Sequence, residues 1–121
     1  MLYHKELTGK ILGALVEVHK RLGPGYYEKS YQKASAYEFV LQGIRFQEQL
    51  PVQISYKDVV AQELRLDFLI EDTVVLELKA KKELDKMDQA QMFAYLRATG
   101  KKIGLLVNFG KKRIEIKRLV L

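Results

Sequence analysis

The sequence predicts an α/β fold with its elements in the order ααβββαββ. Three observations carry that expectation. Apolar residues recur at three- and four-residue steps, the period of a helix, over residues 5–22, and a second helix follows up to Gly43. Two apolar runs, 63–70 and 73–80, are separated only by Glu71-Asp72, a connection short enough to require an antiparallel hairpin. A third helical stretch over 86–99 leads into Ile103-Gly-Leu-Leu-Val-Asn108, an apolar run suited to the middle of a sheet.

Taken in order, residues 5–22 form the first predicted helix, with Leu7, Ile11, Leu12, Leu15, Val18 and Leu22 on its inner face. Gly23-Pro24-Gly25 stops it, because proline and glycine together punctuate a helix. A second helix runs from about Tyr27 to Leu41, with Gly43 as its C′ glycine. Val52-Gln-Ile-Ser-Tyr56 alternates and predicts a strand with Pro51 at its start. The hairpin 63–80 follows. The third helix should turn Met87, Ala90, Phe93, Ala94 and Leu96 inward and end at Gly100. After the strand 103–108, the turn Gly110-Lys111-Lys112 leads into Arg113–Leu119, whose alternation marks a half-exposed edge strand. No linker, repeat or low-complexity segment interrupts the chain, so residues 1–121 are read as one domain.

Composition narrows the chemistry. The chain has no cysteine, which excludes disulfides, thiolate zinc sites and thiol nucleophiles. His4 and His19 are its two histidines, too few for an all-histidine metal site. Carboxylates remain as the route to a metal, and oxygen ligation suits Mg²⁺ or Mn²⁺. A net charge of +6 favours polyanionic partners. Lysines gather at Lys79, Lys81, Lys82 and Lys86, at Lys101-Lys102, and through Lys111-Lys112-Arg113 to Lys117-Arg118; a solvated surface explains them as well as a nucleic-acid footprint does. The apolar runs are too short to span a membrane and the N-terminus has no apolar signal core, so the expected location is cytoplasmic.

The run Thr73-Val-Val-Leu-Glu-Leu-Lys-Ala80 sets Glu77 and Lys79 in an otherwise apolar strand, two residues apart and therefore on one face. Charges there are costly unless paired, hydrogen-bonded or metal-bound. The hairpin places Asp67, itself among apolar neighbours, roughly opposite Glu77, so the two carboxylates can converge on one cation. Metal-assisted phosphodiester cleavage needs that arrangement, with Lys79 stabilising developing charge. The competing account is a structural salt bridge, with either acid pairing to Lys79 or Arg65.

Two helical pairs accompany these residues. Glu28 and Tyr31 share a face of the second helix, and Ser35 and Glu38 extend it. Taken alone, Glu28 reads as a first-turn acid complementing the helix dipole and Tyr31 as a packing residue. Gln91 and Tyr95, four apart on the third helix, can point together toward the sheet, where an amide and a phenol would hold a phosphate or a water; local hydrogen bonds on a helix surface are the plainer account. His19, near the end of the first helix, reads as structural.

Together, Gly25-x-x-Glu28-x-x-Tyr31 after Val18-His-Lys-Arg-Leu-Gly-Pro24, then Asp67, Glu77-x-Lys79 and Gln91-x-x-x-Tyr95, closely resemble the GxxExxY family of the PD-(D/E)XK nuclease superfamily. Gly104-Leu-Leu-Val-Asn-Phe-Gly110 looks like that family's late strand and turn. The resemblance covers nearly the whole chain. It implies a restriction-endonuclease-like core, a mixed central sheet flanked by helices. By that similarity Glu28, Asp67 and Glu77 would hold Mg²⁺ or Mn²⁺, Lys79 would be the catalytic lysine, and Gln91 with Tyr95 the motif of the following helix. The first acid stands in Arg65-Leu-Asp67 rather than after a proline, a departure that keeps the carboxylate. The implied activity is metal-dependent hydrolysis of nucleic-acid phosphodiesters, DNA in preference to RNA. The alternative is a non-catalytic nucleic-acid-binding or scaffold module with the same fold. A chain this small has little room for a sequence-reading domain, so structure- or end-dependent cleavage is expected, or a homo-oligomer or a partner that supplies specificity.

Overall fold

The computed structural model describes residues 4–121. Its elements are α1 (Lys5–Leu22), α2 (Glu28–Leu41), β1 (Phe46–Tyr56), β2 (Val59–Ile70), β3 (Val74–Lys79), α3 (Lys86–Thr99), β4 (Ile103–Asn108) and β5 (Glu115–Val120). The order is ααβββαββ, as the sequence predicts. The strands form one mixed sheet in the order β1-β2-β3-β4-β5. β3 and β4 run parallel, with α3 as the connection between them, and every other neighbouring pair is antiparallel.

Helices cover both faces. Val74, Leu76 and Leu78 of β3, with Ile103, Leu105 and Val107 of β4, pack against Ile11, Leu15 and Val18 of α1 and Tyr31 and Phe39 of α2. Val75 and Leu106 point the other way, onto Met92, Tyr95 and Leu96 of α3. Because β3 and β4 are covered on both sides, they read as continuous apolar runs rather than alternating ones. The tight β2–β3 turn puts Glu71 (φ 51°) and Asp72 (φ 55°) in the left-handed region, the signature of a hairpin turn whose twist matches its strands.

Three expectations need correcting. β1 begins at Phe46, six residues before Val52, and β2 begins at Val59 rather than 63, so the two make a long hairpin turning at Lys57-Asp58. Phe46 opens β1 because its ring packs against Phe39 and Phe68, at 5.6 Å from each. Pro51 lies inside β1 instead of starting it, as an edge strand allows. Finally, α3 meets its expected inner stripe only in part: Leu96 is buried and Phe93 packs on the cluster beneath the helix, as expected. Met87 and Ala90 are exposed, and the helix buries Asp88, Met92, Tyr95 and Leu96. The helix turns polar side chains inward, which defeats a reading based on apolar spacing.

Candidate active site

The site begins where β2 and β3 part. Their ladder holds from Ile70↔Val74 to Phe68↔Leu76, and the next pair in register would be Asp67 and Glu77. There the side chains take over from the backbone. The Asp67 N–H donates to Glu77 Oε1 at 2.9 Å, and the Leu78 N–H donates to Asp67 Oδ2 at 2.8 Å. On the other side of β2, the register with β1 passes from Glu48↔Phe68 to Leu50↔Leu66 and skips Gln49, which stands at φ 52°. Leu66 and Leu69 consequently share the α3 side, while Phe68 faces α1 and α2. Residues 66 and 68 would share a face in a regular strand. β2 is therefore bent at Asp67, and the bend opens the sheet around both acids.

Glu77 is 5% exposed and Asp67 half-buried. Burial, then the charge of Asp67, pushes the Glu77 carboxyl up from 4.5 to about 8. Asp67 is raised as well, chiefly by burial and further by the charge of Glu28, while the Leu78 N–H and Lys79 pull it back. The two acids are thus near each other and poorly hydrated, and the charge of Asp67 helps Glu77 hold its proton.

Lys79 does not pair with either acid. Its Nζ donates to Gln91 Oε1 at 3.1 Å and lies 3.7 Å from Asp88 Oδ1. Asp88 is itself held: its Oδ2 accepts from Lys81 Nζ and from the Asp85 N–H, both at 2.9 Å. Asp85 in turn accepts from the Asp88 N–H at 3.0 Å, a reciprocal cap that fixes the start of α3. Tyr95 is 4% exposed, and burial, then Glu77 and Asp67, raise its phenol well above the ordinary value. It stays neutral, so its hydroxyl keeps the proton it can donate.

The structure therefore gathers Asp67, Glu77, Lys79, Gln91 and Tyr95 from β2, β3 and α3. Glu28 joins less closely. It is exposed on the first turn of α2, and its charge acts on both acids. Among the described residues no three acids or histidines stand grouped to hold a metal ion. The donor set still suits a hard cation, because two converging carboxylates supply the oxygen ligands such ions prefer. One oxygen of each acid is engaged by a backbone N–H, leaving Glu77 Oε2 and Asp67 Oδ1, the latter 3.4 Å from Gln49 Nε2. Of the remaining expected residues, Ser35 is buried, Glu38 accepts from Gln42 Nε2 at 2.6 Å, and His19 Nε2 meets the Lys111 carbonyl at 2.8 Å.

Tyr31 is structural. Its ring stacks on Phe109 at 4.5 Å, and its hydroxyl donates to the Gly23 carbonyl at 2.6 Å and accepts from the Tyr26 N–H at 3.3 Å. The tyrosine of the motif thereby ties down the loop that leads to Glu28. Sequence reasoning missed Asp88, Gln49 and Asn108. Asp85-x-x-Asp88 ahead of a helix carried a capping signal, and a polar residue ending an apolar strand marked Asn108. Nothing local betrays Gln49.

Comparison with known proteins follows the same line. No curated protein matches the chain. Its fold is similar to the crystal structure of an alkaline exonuclease (LHK-Exo) from Laribacter hongkongensis, with a TM-score of 0.56 and 12% identity over 99% of this chain and 72% of that one. No helix among the described residues is long and apolar enough to cross a membrane. A family model for the PD-(D/E)XK nuclease superfamily matches residues 5–119, nearly the full length of the chain; the protein belongs to that superfamily.

Proposed function

We propose that this chain, one nuclease-like domain of the GxxExxY type, is a Mg²⁺- or Mn²⁺-dependent nuclease that hydrolyses phosphodiester bonds of DNA in preference to RNA. One observation carries the reading. Two carboxylates replace the backbone ladder between adjacent strands, the charge of Asp67 acts on Glu77, and the lysine of the same strand is hydrogen-bonded to Gln91 instead of to either acid. A strand selected for stability alone would not keep such a pair, since apolar residues of similar volume serve as well or better.

Asp67 and Glu77 would hold the cation, with Glu28 completing its shell. Bound there, the ion would screen the phosphate and lower the pKa of the attacking water. The chain's own groups do the rest. Lys79, oriented by Asp88 and Gln91, supplies positive charge beside the oxygen that becomes anionic. Tyr95 offers a neutral hydroxyl donor to a phosphate oxygen, and Gln91 fixes the lysine while presenting its own amide. The expected mode is end- or structure-dependent cleavage, in the cytoplasm.

Calorimetry with Mn²⁺ tests the centre: wild type should bind at one class of site, and Asp67→Ala or Glu77→Ala should abolish binding. Cleavage of single- and double-stranded DNA and of RNA by the same three proteins then assigns the substrate. A folded wild type that binds no Mn²⁺, even with an oligonucleotide present, would favour the non-catalytic nucleic-acid-binding or scaffold module.

A further inference from the structure

Beside Asp67 lies a groove that none of these steps uses. It is an open groove of about 410 Å³ between α2 and β1 near Gln49, lined by Lys29, Gln32, Lys33, Ala36, Glu48 and Gln49. A volume of that order falls in the range of small-ligand sites, roughly 300–1,000 Å³. Its floor is a chain of amides that ends at the acid. Gln32 Nε2 donates to Glu48 Oε2 at 3.1 Å, and Gln49 Nε2 donates to Gln32 Oε1 at 2.8 Å and to Asp67 Oδ1 at 3.4 Å. These bonds leave Gln49 Oε1 as an acceptor and one amide hydrogen of Gln32 as a donor. Gln49 reaches both partners from a left-handed backbone, φ 52°, that a residue with a side chain rarely adopts. Such strain gathers where surrounding structure holds a residue for a task.

The wall is positive. Lys29 and Lys33 stand four residues apart on α2, both exposed, so their ammonium groups border the same side of the groove. They outnumber Glu48, which Gln32 already engages. Glu28, one residue before Lys29, is the acid whose field reaches Asp67 and Glu77. The positive wall therefore starts where the acidic centre stops, an arrangement that fits a chain of phosphates leading away from it.

We infer that this groove is the subsite for the nucleotide adjoining the cleaved phosphodiester on a single strand: Lys29 and Lys33 hold its phosphate, and the amides of Gln32 and Gln49 meet its base or sugar. The inference rests on the nuclease reading and adds where the strand runs.

The test measures binding of a short fluorescent single-stranded DNA with Ca²⁺ replacing the catalytic ion, across a salt series. Lys29→Ala/Lys33→Ala should weaken binding and lower the slope of log affinity against log salt by about one per lysine. In cleavage it should raise KM and leave kcat near wild type. Lys5→Ala/Lys10→Ala, which removes the same charge from the exposed start of α1, should leave the slope unchanged. Equal slopes for the two double variants, beside a wild type that cuts, would overturn the groove assignment alone. A wild type that neither binds nor cuts would sink the nuclease reading, and this inference with it.

Discussion

Glu77 couples the site to the stability of the whole protein through its proton. Burial and Asp67 raise its carboxyl to about 8, whereas an unfolded glutamate titrates near about 4.3. Between those values the folded chain keeps a proton that the unfolded chain has released. Stability must therefore fall as pH rises through that window and level off above it. The raised Asp67 acts in the same direction. The full loss from Glu77 is on the order of 3–5 kcal/mol. Urea denaturation of the metal-free protein across the window should show this decline. Glu77→Gln should remove most of it and be the more stable protein on the alkaline side. Mn²⁺ should restore the wild type there and do little for the variant, because binding stabilises only the state that binds. A decline in Glu77→Gln as steep as in wild type would mean that Glu77 does not carry the buried charge.

At the scale of elements, the site is held by a knot that ties α2 to the ends of β3 and β4. Asn108 is fully buried. Its Oδ1 accepts from the Lys81 and Gly110 N–H groups, and its Nδ2 donates to the Lys81 carbonyl and to Glu115 Oε1. Gly110 has to be glycine, since a Cβ there would collide with the Lys81 backbone. Phe109, between them, carries the stack with Tyr31. Tyr31→Phe keeps that stack and removes the bond to the Gly23 carbonyl. It should cost about 1–2 kcal/mol, a fall of a few degrees in Tm. It should also weaken Mn²⁺ binding without abolishing it, because the loop that leads to Glu28 loses its tether. Unchanged Mn²⁺ affinity in a destabilised Tyr31→Phe would separate Glu28 from the centre. The sequence made α1, the β2–β3 hairpin and β4 legible because periodicity and turn residues agree there. On α3 it made Gln91 and Tyr95 legible as a pair facing the sheet but concealed the rest of the inner face, where Asp88 and Met92 are buried in place of Met87 and Ala90. It also concealed the start of β1: Gln47, Glu48 and Gln49 are polar on both faces of an edge strand. The acids were legible as a pair, since hairpin register alone opposes 67 and 77. Glu28 was legible only through its motif, because its distance from them depends on how α2 packs.

Across the whole molecule, rigidity is unevenly distributed, and the site sits at the boundary. β3 and β4 are buried on both faces, and their backbone bonds open only if α1, α2 or α3 leaves. The distal part of the β1–β2 hairpin is different. From Gln53↔Glu63 to Tyr56↔Val59 the two strands pair with each other alone, with a register shift between Ile54 and Ser55 and mostly exposed side chains. A two-stranded ribbon is marginally stable by itself in water. Its inner portion fares better, because Leu50, Val52 and Leu64 rest on the cluster beneath α3. Amide hydrogen exchange should therefore resolve two levels. Amides in the ribbon tip, about residues 55–61, should exchange through local opening, at rates indifferent to mild denaturant. Those of β3 and β4 should exchange only with global unfolding and follow its denaturant dependence. Protection at the tip equal to that of β4 would show the ribbon held by something beyond its own ladder. The bend at Asp67 lies where those regimes meet. The acids consequently keep fixed positions on the rigid side, while local opening is expected only in the ribbon from Gln53 to Glu63.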